Sequence, residues 1–561
     1  MTPILSTQEK GYVLLWATGV ATALLLVPHL PSDFVQQVLW SVRHMADFPL
    51  AIRVALALAG FLICIPRFHR KLWTGIRLLT QKIPEQCHSK RARRLLYPLI
   101  GGLSLPLFYL LRNRNYALGD SAHLIQVITF YGHTTGYHIT YDEPMELYVH
   151  SIAYRILHRA FDWDAARSYA LISALCGVAF VYILLALSKQ FSQDPAKRWT
   201  VFGLVLSMGT IQLFFGHVEN YTIVATGVLL YILLAIHYLK GRCSIVWPSL
   251  ALSLSFCMHV LAGWLFPSLL YLWAVKARAH GLRKNILSFG AMSAAVLLPI
   301  GLTIAYCTYL GVGPEYMKGT HLARMKFIFL LNESFPYYQY PMFSFRHLTD
   351  VLNELVLTSL PGIMILGFVG LFHVRNVDFK DPFLRFLIIA TAFLQLFAIS
   401  WNPDLGAYRD WDLYAIIGIG YLPLGAYLLV RFVPDVRKVR YAGLVFVVLA
   451  LIHTGTWVVS NARKHVPVDS THDAAHLWLG NRSIQEGRPN KAIENYKEAI
   501  RINPYSATAH FNLAKAYLMK ADSARAWTHL QDALRLAPNP QYARRIRQMI
   551  EQLKKGQDPA P

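Results

Sequence analysis

Four stretches and one isolated histidine carry the ionisable residues best able to do chemistry. The first is Gly119-Asp120-Ser121, just after an apolar run. A carboxylate there has two compatible uses. It caps the helical pattern that follows, or it takes a proton from a reacting hydroxyl. The second is His217-Val218-Glu219-Asn220, a very short turn between two apolar runs. It is either a solvated turn or a rim carboxylate with a histidine beside it. The third runs from Trp401 to Asp412 and sets Asp404, Asp410 and Asp412 around Arg409, among aromatics. Arg409 either pairs internally with Asp410 or holds a phosphate through two parallel hydrogen bonds. The fourth is a basic run, Lys318, His321, Arg324 and Lys326, leading into aromatics up to Tyr340. It is an interfacial helix meeting lipid head groups, or a gate over a lipid phosphate. His259 lies alone in an apolar region, as a satisfied buried histidine or as a ligand.

The elements that must position these residues are membrane spans. Of 561 residues, 55% are hydrophobic and only 15% charged, against about 25% charged in soluble proteins. Each ionised side chain at a span centre costs roughly 2.5–3.5 kcal/mol, which accounts for the missing charge. Apolar stretches at 11–30, 48–66, 96–111, 168–188, 199–216, 221–239, 246–258, 260–275, 286–310, 356–373, 383–400, 413–432 and 441–460 give thirteen expected spans. The stretch 246–275 is divided near His259, Ala262 and Gly263 because basic residues flank both of its ends.

The net charge of +23 does not indicate nucleic acid, because the cations sit at span ends. Arg67–Arg94, Lys189–Arg198, Lys240–Arg242, Lys276–Lys284, Arg375–Arg385 and Arg431–Arg440 fall on one face, and the positive-inside rule makes it cytoplasmic. The other face then receives the loops 112–167 and 311–355, the turns His217–Asn220 and Trp401–Asp412, and the C-terminus. The N-terminus is expected inside, with the first span kept as an anchor. Within 112–167, apolar residues at helical spacing indicate interfacial helices, separated by Gly132, Gly136 and Pro144. The six cysteines form no CxxC pair, so they give neither a zinc signature nor a disulfide framework.

The tail repeats at 34 residues: Leu479/Leu513, Gly480/Ala514, Ala492/Ala526, Ala499/Ala533 and Pro504/Pro538. Small residues recur where paired helices approach closely, which is the tetratricopeptide period. Two repeats are expected from about 473, followed by a polar capping helix from Gln541 to Lys555. The chain is therefore expected to be all-α. It divides into a two-span extension with a basic segment (1–95), a membrane domain (96–460) and an extracytoplasmic repeat domain (461–561).

The placing of Asp120 in the first long outer loop and Glu219 in the next short outer turn resembles the GT-C class of multi-spanning glycosyltransferases. That class includes protein O-mannosyltransferases and aminoarabinose transferases. Pro144-Met-Glu-Leu-Tyr148 resembles its proline-led amphipathic helix, and the His259…Pro267 helix pair has the same look. The likeness covers about 96–432. The chain departs from it in having two extra leading spans and Gly-Asp-Ser in place of an adjacent acidic pair; Asp142 and Glu143 lie further along. Outer repeats also resemble the layout of eukaryotic O-mannosyltransferases.

The resemblance implies sugar transfer, with inversion, from a polyprenyl-phosphate donor to a protein, lipid or glycan acceptor at the extracytoplasmic face of a cell membrane. It implies Asp120 as base and Glu219 as orienting group. Arg409 is implied at the phosphate with Lys318 or Arg324, near Asp410, His217 and His259. A divalent metal, magnesium or manganese, between Asp120 and Glu219 is compatible with it. The repeats would bind a protein partner. The rival readings are a transporter or flippase, which calls for internal symmetry and broken helices at mid-membrane, and a non-catalytic scaffold.

Overall fold

The computed structural model describes residues 4–75, 90–116, 118–132, 143–277, 281–310, 341–401, 403, 407–464, 473–502, 506–536 and 540–554. All regular elements among them are helices. The first half contains α1 (Thr7–Leu26), α2 (Ser32–Val38), α3 (Leu50–Leu62), α4 (Pro66–Gly75), α5 (Lys90–Leu110), α6 (Ser121–Gly132), α7 (Pro144–Phe161), α8 (Ala165–Phe191), α9 (Pro195–Leu206), α10 (Thr222–Leu239), α11 (Val246–Met258) and α12 (Phe266–Ala277). The second contains α13 (Leu282–Tyr309), α14 (Phe345–Phe372), α15 (Pro382–Ser400), α16 (Trp411–Phe432), α17 (Val436–Arg463), α18 (Asp473–Gln485), α19 (Pro489–Ile502), α20 (Ala507–Leu518), α21 (Ser523–Arg535) and α22 (Pro540–Lys554).

The protein is a multi-pass membrane protein. Nine of the described helices are long and apolar enough to span: α1, α8, α10, α12 with the turn before it, and α13 to α17. The α3–α4 pair, bent by 93°, makes a tenth if counted as one span. The expected thirteen spans are thus not reproduced.

The largest departure is 199–216. There α9 stops at Leu206 and a short 3-10 turn, Gly209–Phe214, follows. The Thr210 hydroxyl donates to Ala415 O (2.7 Å) and Thr358 O (3.2 Å), so the broken segment bonds sideways to α16 and α14. In the expected 96–111 span, α5 carries Pro98 and Pro106. α11 is a short helix, and the chain turns at His259 in extended backbone before a 3-10 turn and α12, where the sequence divides 246–275. α14 begins at Phe345, inside the expected loop 311–355, and kinks at Ser359 ahead of Pro361. The kink frees carbonyls because proline cannot donate and displaces the preceding turn. Tyr421 donates to Ser359 O at 3.0 Å and occupies one of them.

Aspartates start many helices at their polar ends. Asp164, Asp194, Asp381 and Asp435 each accept a backbone N–H of the first turn. α16 is the central helix, with 89% of its apolar window buried, while α13 has only 11% buried. Leu282, Ile286, Leu297, Leu298 and Leu302 of α13 are exposed, as a lipid-facing helix requires.

The two ends of the bundle differ. At one, Lys240 and Arg242 bond Gln190 (2.9 and 2.8 Å), Lys197 bonds Val430 O (2.6 Å) and Lys438 bonds Glu9 (2.7 Å). This gathers the basic loops with the N-terminus. At the other lie the loop after α5, the turn before α10, the start of α16 and the end of α17. The tail continues from that second end, and α18 lies against α6. The tail has its own core around Ala492, Tyr496, Phe511, Ala514, Ala526 and Leu530.

Candidate active site

The site is assembled at the second end from segments far apart in sequence. After α5 the chain is fastened on two sides. Asn113 N donates to Phe215 O (2.7 Å), and Arg114 N to Asn461 O (3.0 Å). Gly119 follows with φ of +59°, a backbone that side chains disfavour, and its N–H donates to Arg409 O at 2.7 Å. A methyl group on Gly119 would overlap the carboxylates of both Glu219 and Asp412. Glycine is thus required by conformation and by the closeness of two acids. Asp120, next in line, is exposed, and its carbonyl accepts from Leu124 N (2.9 Å) at the start of α6.

The turn before α10 begins at Gly216 (φ +57°) and buries His217 completely. His217 Nε2 lies 2.8 Å from Asp412 Oδ2, and Asn113 Nδ2 lies 2.6 Å from its Nδ1. The pattern assigns the proton to Nε2, donating to Asp412. Ser173 donates to the His217 carbonyl (2.9 Å). Glu219 is 3% exposed, and its Oε1 has no hydrogen-bond partner among the described residues. Burial, and then the charges of Asp412, Asp120, Glu143 and Asp410, push its carboxyl well above the usual range.

One ligand atom each from His217, Glu219 and Asp412 falls within 4.8 Å of the others. A divalent cation there would take the place of the proton on His217 Nε2, whose lone pair would then join two carboxylate oxygens, one of them without a hydrogen-bond partner among the described residues. Asp120 is not one of these three, though its charge reaches Glu219.

A second polar layer adjoins it. Glu143 accepts from Asn220 Nδ2 (2.6 Å) and lies 3.4 Å from His259 Nε2. Leu261 N donates to His259 Nδ1 (3.0 Å), which fixes the ring; the histidine is both satisfied and close to the site. Tyr169 donates to Asn220 Oδ1 (2.8 Å), and His150 stacks on its ring with centroids 3.6 Å apart. His150 in turn lies 3.4 Å from Glu146, and both are buried. Desolvation pushes Glu146 up to about 8 and His150 down to about 3, so the pair is neutral at pH 7.

The structure therefore brings together Asp120, Glu219, His217, Asp410 and the Arg409 backbone, with His259 in the adjoining layer. Asp410 is 9% exposed at the start of α16. Lys318, Arg324 and the rest of that basic run lie outside the described residues, as does Asp142. The sequence reading singled out neither Asn113, nor Glu146 with His150, nor Glu354. Glu354 of α14 is buried, and neither of its oxygens has a hydrogen-bond partner among the described residues. It lay at the end of the expected loop 311–355, and an acid in the apolar run Val351–Leu357 was the available signal for it.

Beside the site is an apolar cavity of about 840 Å³ between α5, α8, α9 and α17. Leu111 and Phe215 line it near the site, and Lys189 and Arg198 line it toward the basic end.

Comparison with known proteins places the tail first. The TPR repeat family matches residues 480–520. No curated protein matches the chain. Among solved structures the chain is similar to ArnT from Cupriavidus metallidurans. To the apo crystal structure the identity is 11% and the TM-score 0.47, over 70% of this chain and 81% of that one. To the structure bound to undecaprenyl phosphate they are 12% and 0.43, over 83% and 79%. At these values the likeness assigns no activity to this chain.

Proposed function

We propose that the protein is a membrane glycosyltransferase. It takes a sugar from a polyprenyl-phosphate carrier on the extracytoplasmic side and passes it to a hydroxyl acceptor. The observation carrying this reading is the convergence of Gly119-Asp120, His217–Glu219 and Arg409–Asp412 at one end of the bundle, opposite the basic loops. A head group held there has an apolar cavity next to it for a hydrocarbon tail.

Asp120 is exposed, as a base meeting an incoming acceptor must be. The acceptor hydroxyl oxygen attacks the anomeric carbon and its proton passes to the Asp120 carboxylate. The bond from that carbon to the phosphate oxygen breaks, and polyprenyl phosphate leaves with the electron pair. Displacement from the opposite face inverts the anomeric centre. The leaving phosphate needs cationic stabilisation more than a general acid. Arg409 is suited to it, with Lys318 and Arg324 as further cations from the loop. Glu219 and Asp410 orient the sugar. A divalent cation on His217, Glu219 and Asp412 would supply further charge for the phosphate. His259 and Asn220 hold Glu143, which flanks the sugar. The repeats, whose first helix lies against α6, would present an acceptor or a protein partner to the site.

The test is transfer of label from polyprenyl-phosphate sugars into a membrane extract by the purified protein. The wild type is expected to transfer, and Asp120→Asn to lose about 10²–10⁴-fold, the usual range for a general base, while remaining folded. Normal turnover in Asp120→Asn removes Asp120 from the base role. No transfer from any carrier-linked sugar removes the reading itself.

A further inference from the structure

A second cluster, in the tail, plays no part in the proposed transfer. His510 on α20 and His529 on α21 face each other with Nδ1 atoms 3.1 Å apart. Asp532, one turn beyond His529, places Oδ2 3.7 Å from His510 Nδ1. Its other oxygen, Oδ1, accepts from Arg535 at 3.1 Å. One ligand atom from each of the three lies within 4.8 Å of the others. Ligands about 2.0–2.1 Å from a tetrahedral zinc ion stand about 3.3 Å apart; the two distances from His510 Nδ1, 3.1 Å to His529 Nδ1 and 3.7 Å to Asp532 Oδ2, bracket that value. The His529 ring is held flat against Tyr517, with centroids 5.8 Å apart and planes at 4°. His510 is buried, while His529 and Asp532 are half-exposed, which leaves an entry path for an ion.

The repeat itself does not need this set. Stepping back 34 residues, the same positions hold His476, Asn495 and Glu498. The first hairpin thus forms with asparagine where the second has His529. A nitrogen-to-nitrogen hydrogen bond with an ion pair to Asp532 is the metal-free alternative, and the experiment below separates the two.

We propose that His510, His529 and Asp532 form a site for a zinc-class divalent ion that clasps α20 to α21, with water in the fourth position. The set is two imidazoles and a carboxylate, which suits zinc or cobalt better than magnesium or calcium. Metal binding then stabilises the tail by mass action, where a two-repeat array is otherwise marginal.

The experiment uses the full-length protein in detergent, dialysed against buffered zinc, beside His529→Asn, which installs the first repeat's residue. The wild type is expected to hold one zinc more than the variant. Any ion at His217, Glu219 and Asp412 is common to both proteins and cancels. Cobalt should give a visible tetrahedral band in the wild type that His529→Asn lacks, and zinc should slow proteolysis of the tail only in the wild type. Asp532→Asn, a milder change, should weaken zinc binding about 10-fold or more. Equal zinc content and identical cobalt spectra in all three proteins would leave a ring-to-ring hydrogen bond only and overturn the proposal.

Discussion

Gly119 lies between the carboxylates of Glu219 and Asp412, so it controls their placing more directly than a catalytic group would. Gly119→Ala meets a left-handed backbone and two acids at once. It is expected to cost about 1–3 kcal/mol and to abolish transfer, read by thermal unfolding and by the transfer assay. Glu146 offers a second test at this scale. Its folded value is near 8 and its ordinary value 4.5. Between these the folded protein keeps a proton the unfolded chain has released, so rising pH lowers stability across that window. Glu146→Gln cannot titrate. Its unfolding midpoint should match the wild type near pH 4.5 and exceed it by a few degrees at pH 8. Parallel curves for the two proteins would place the charge elsewhere. Asp120 and Glu219 stand out in the sequence as acids beside apolar runs, one at the start of a long loop and the other in a short turn. The bond from His217 to Asp412 has no signature in the sequence, since 195 positions separate them and nothing in either stretch names the other as its partner. Gly119 was quoted only as the neighbour of Asp120; its positive φ has no signature in a single sequence.

Helices were legible where one rule governs their whole length. The tail is the clearest case, because close crossing of paired helices demands small side chains at fixed steps, and that demand is visible as a 34-residue period. Ala492, Ala499, Ala514, Ala526 and Ala533 are all fully buried there. Ala526→Leu should therefore overpack the second repeat by about 1–3 kcal/mol. Hydrogen exchange should speed up in α20 to α22 and stay unchanged in α14 to α17; uniform change through the chain would mean the tail has no separate core. The turn at His259 was legible from charge, since basic residues at both ends of 246–275 are incompatible with one crossing. The break in 199–216 was not. Its few polar residues, Thr200, Ser207, Thr210 and Gln212, leave it apolar enough on average to read as a span, and Thr210 in the turn beyond α9 makes lateral hydrogen bonds to two other helices. Hydropathy counts apolar length and is blind to a bond made across the bundle.

At the scale of the molecule, the separation of charge between the two ends follows from where the chain enters and leaves the bundle. Glu9, Lys197, Lys240, Lys438 and their partners close the basic end. The site and the root of the tail occupy the other. The positive-inside rule puts these basic loops on one side, and their described residues Lys197, Lys240, Arg242 and Lys438 lie together at one end of the bundle. If that end is cytoplasmic, the site opens outward and meets carriers displayed on the outer leaflet. Two exposed positions test it in a background freed of its own cysteines. Arg167 lies at the start of α8, near the site, and Arg437 at the start of α17, near the basic loops; their side chains are 54% and 65% exposed. A membrane-impermeant maleimide added to intact cells should label Arg167→Cys and spare Arg437→Cys, and permeabilising the cells should make both reactive. The reverse pattern would turn the site toward the cytoplasm. The donor would then have to be met on the inner leaflet, and the repeats beside α6 would have to recruit acceptors from the cytoplasm.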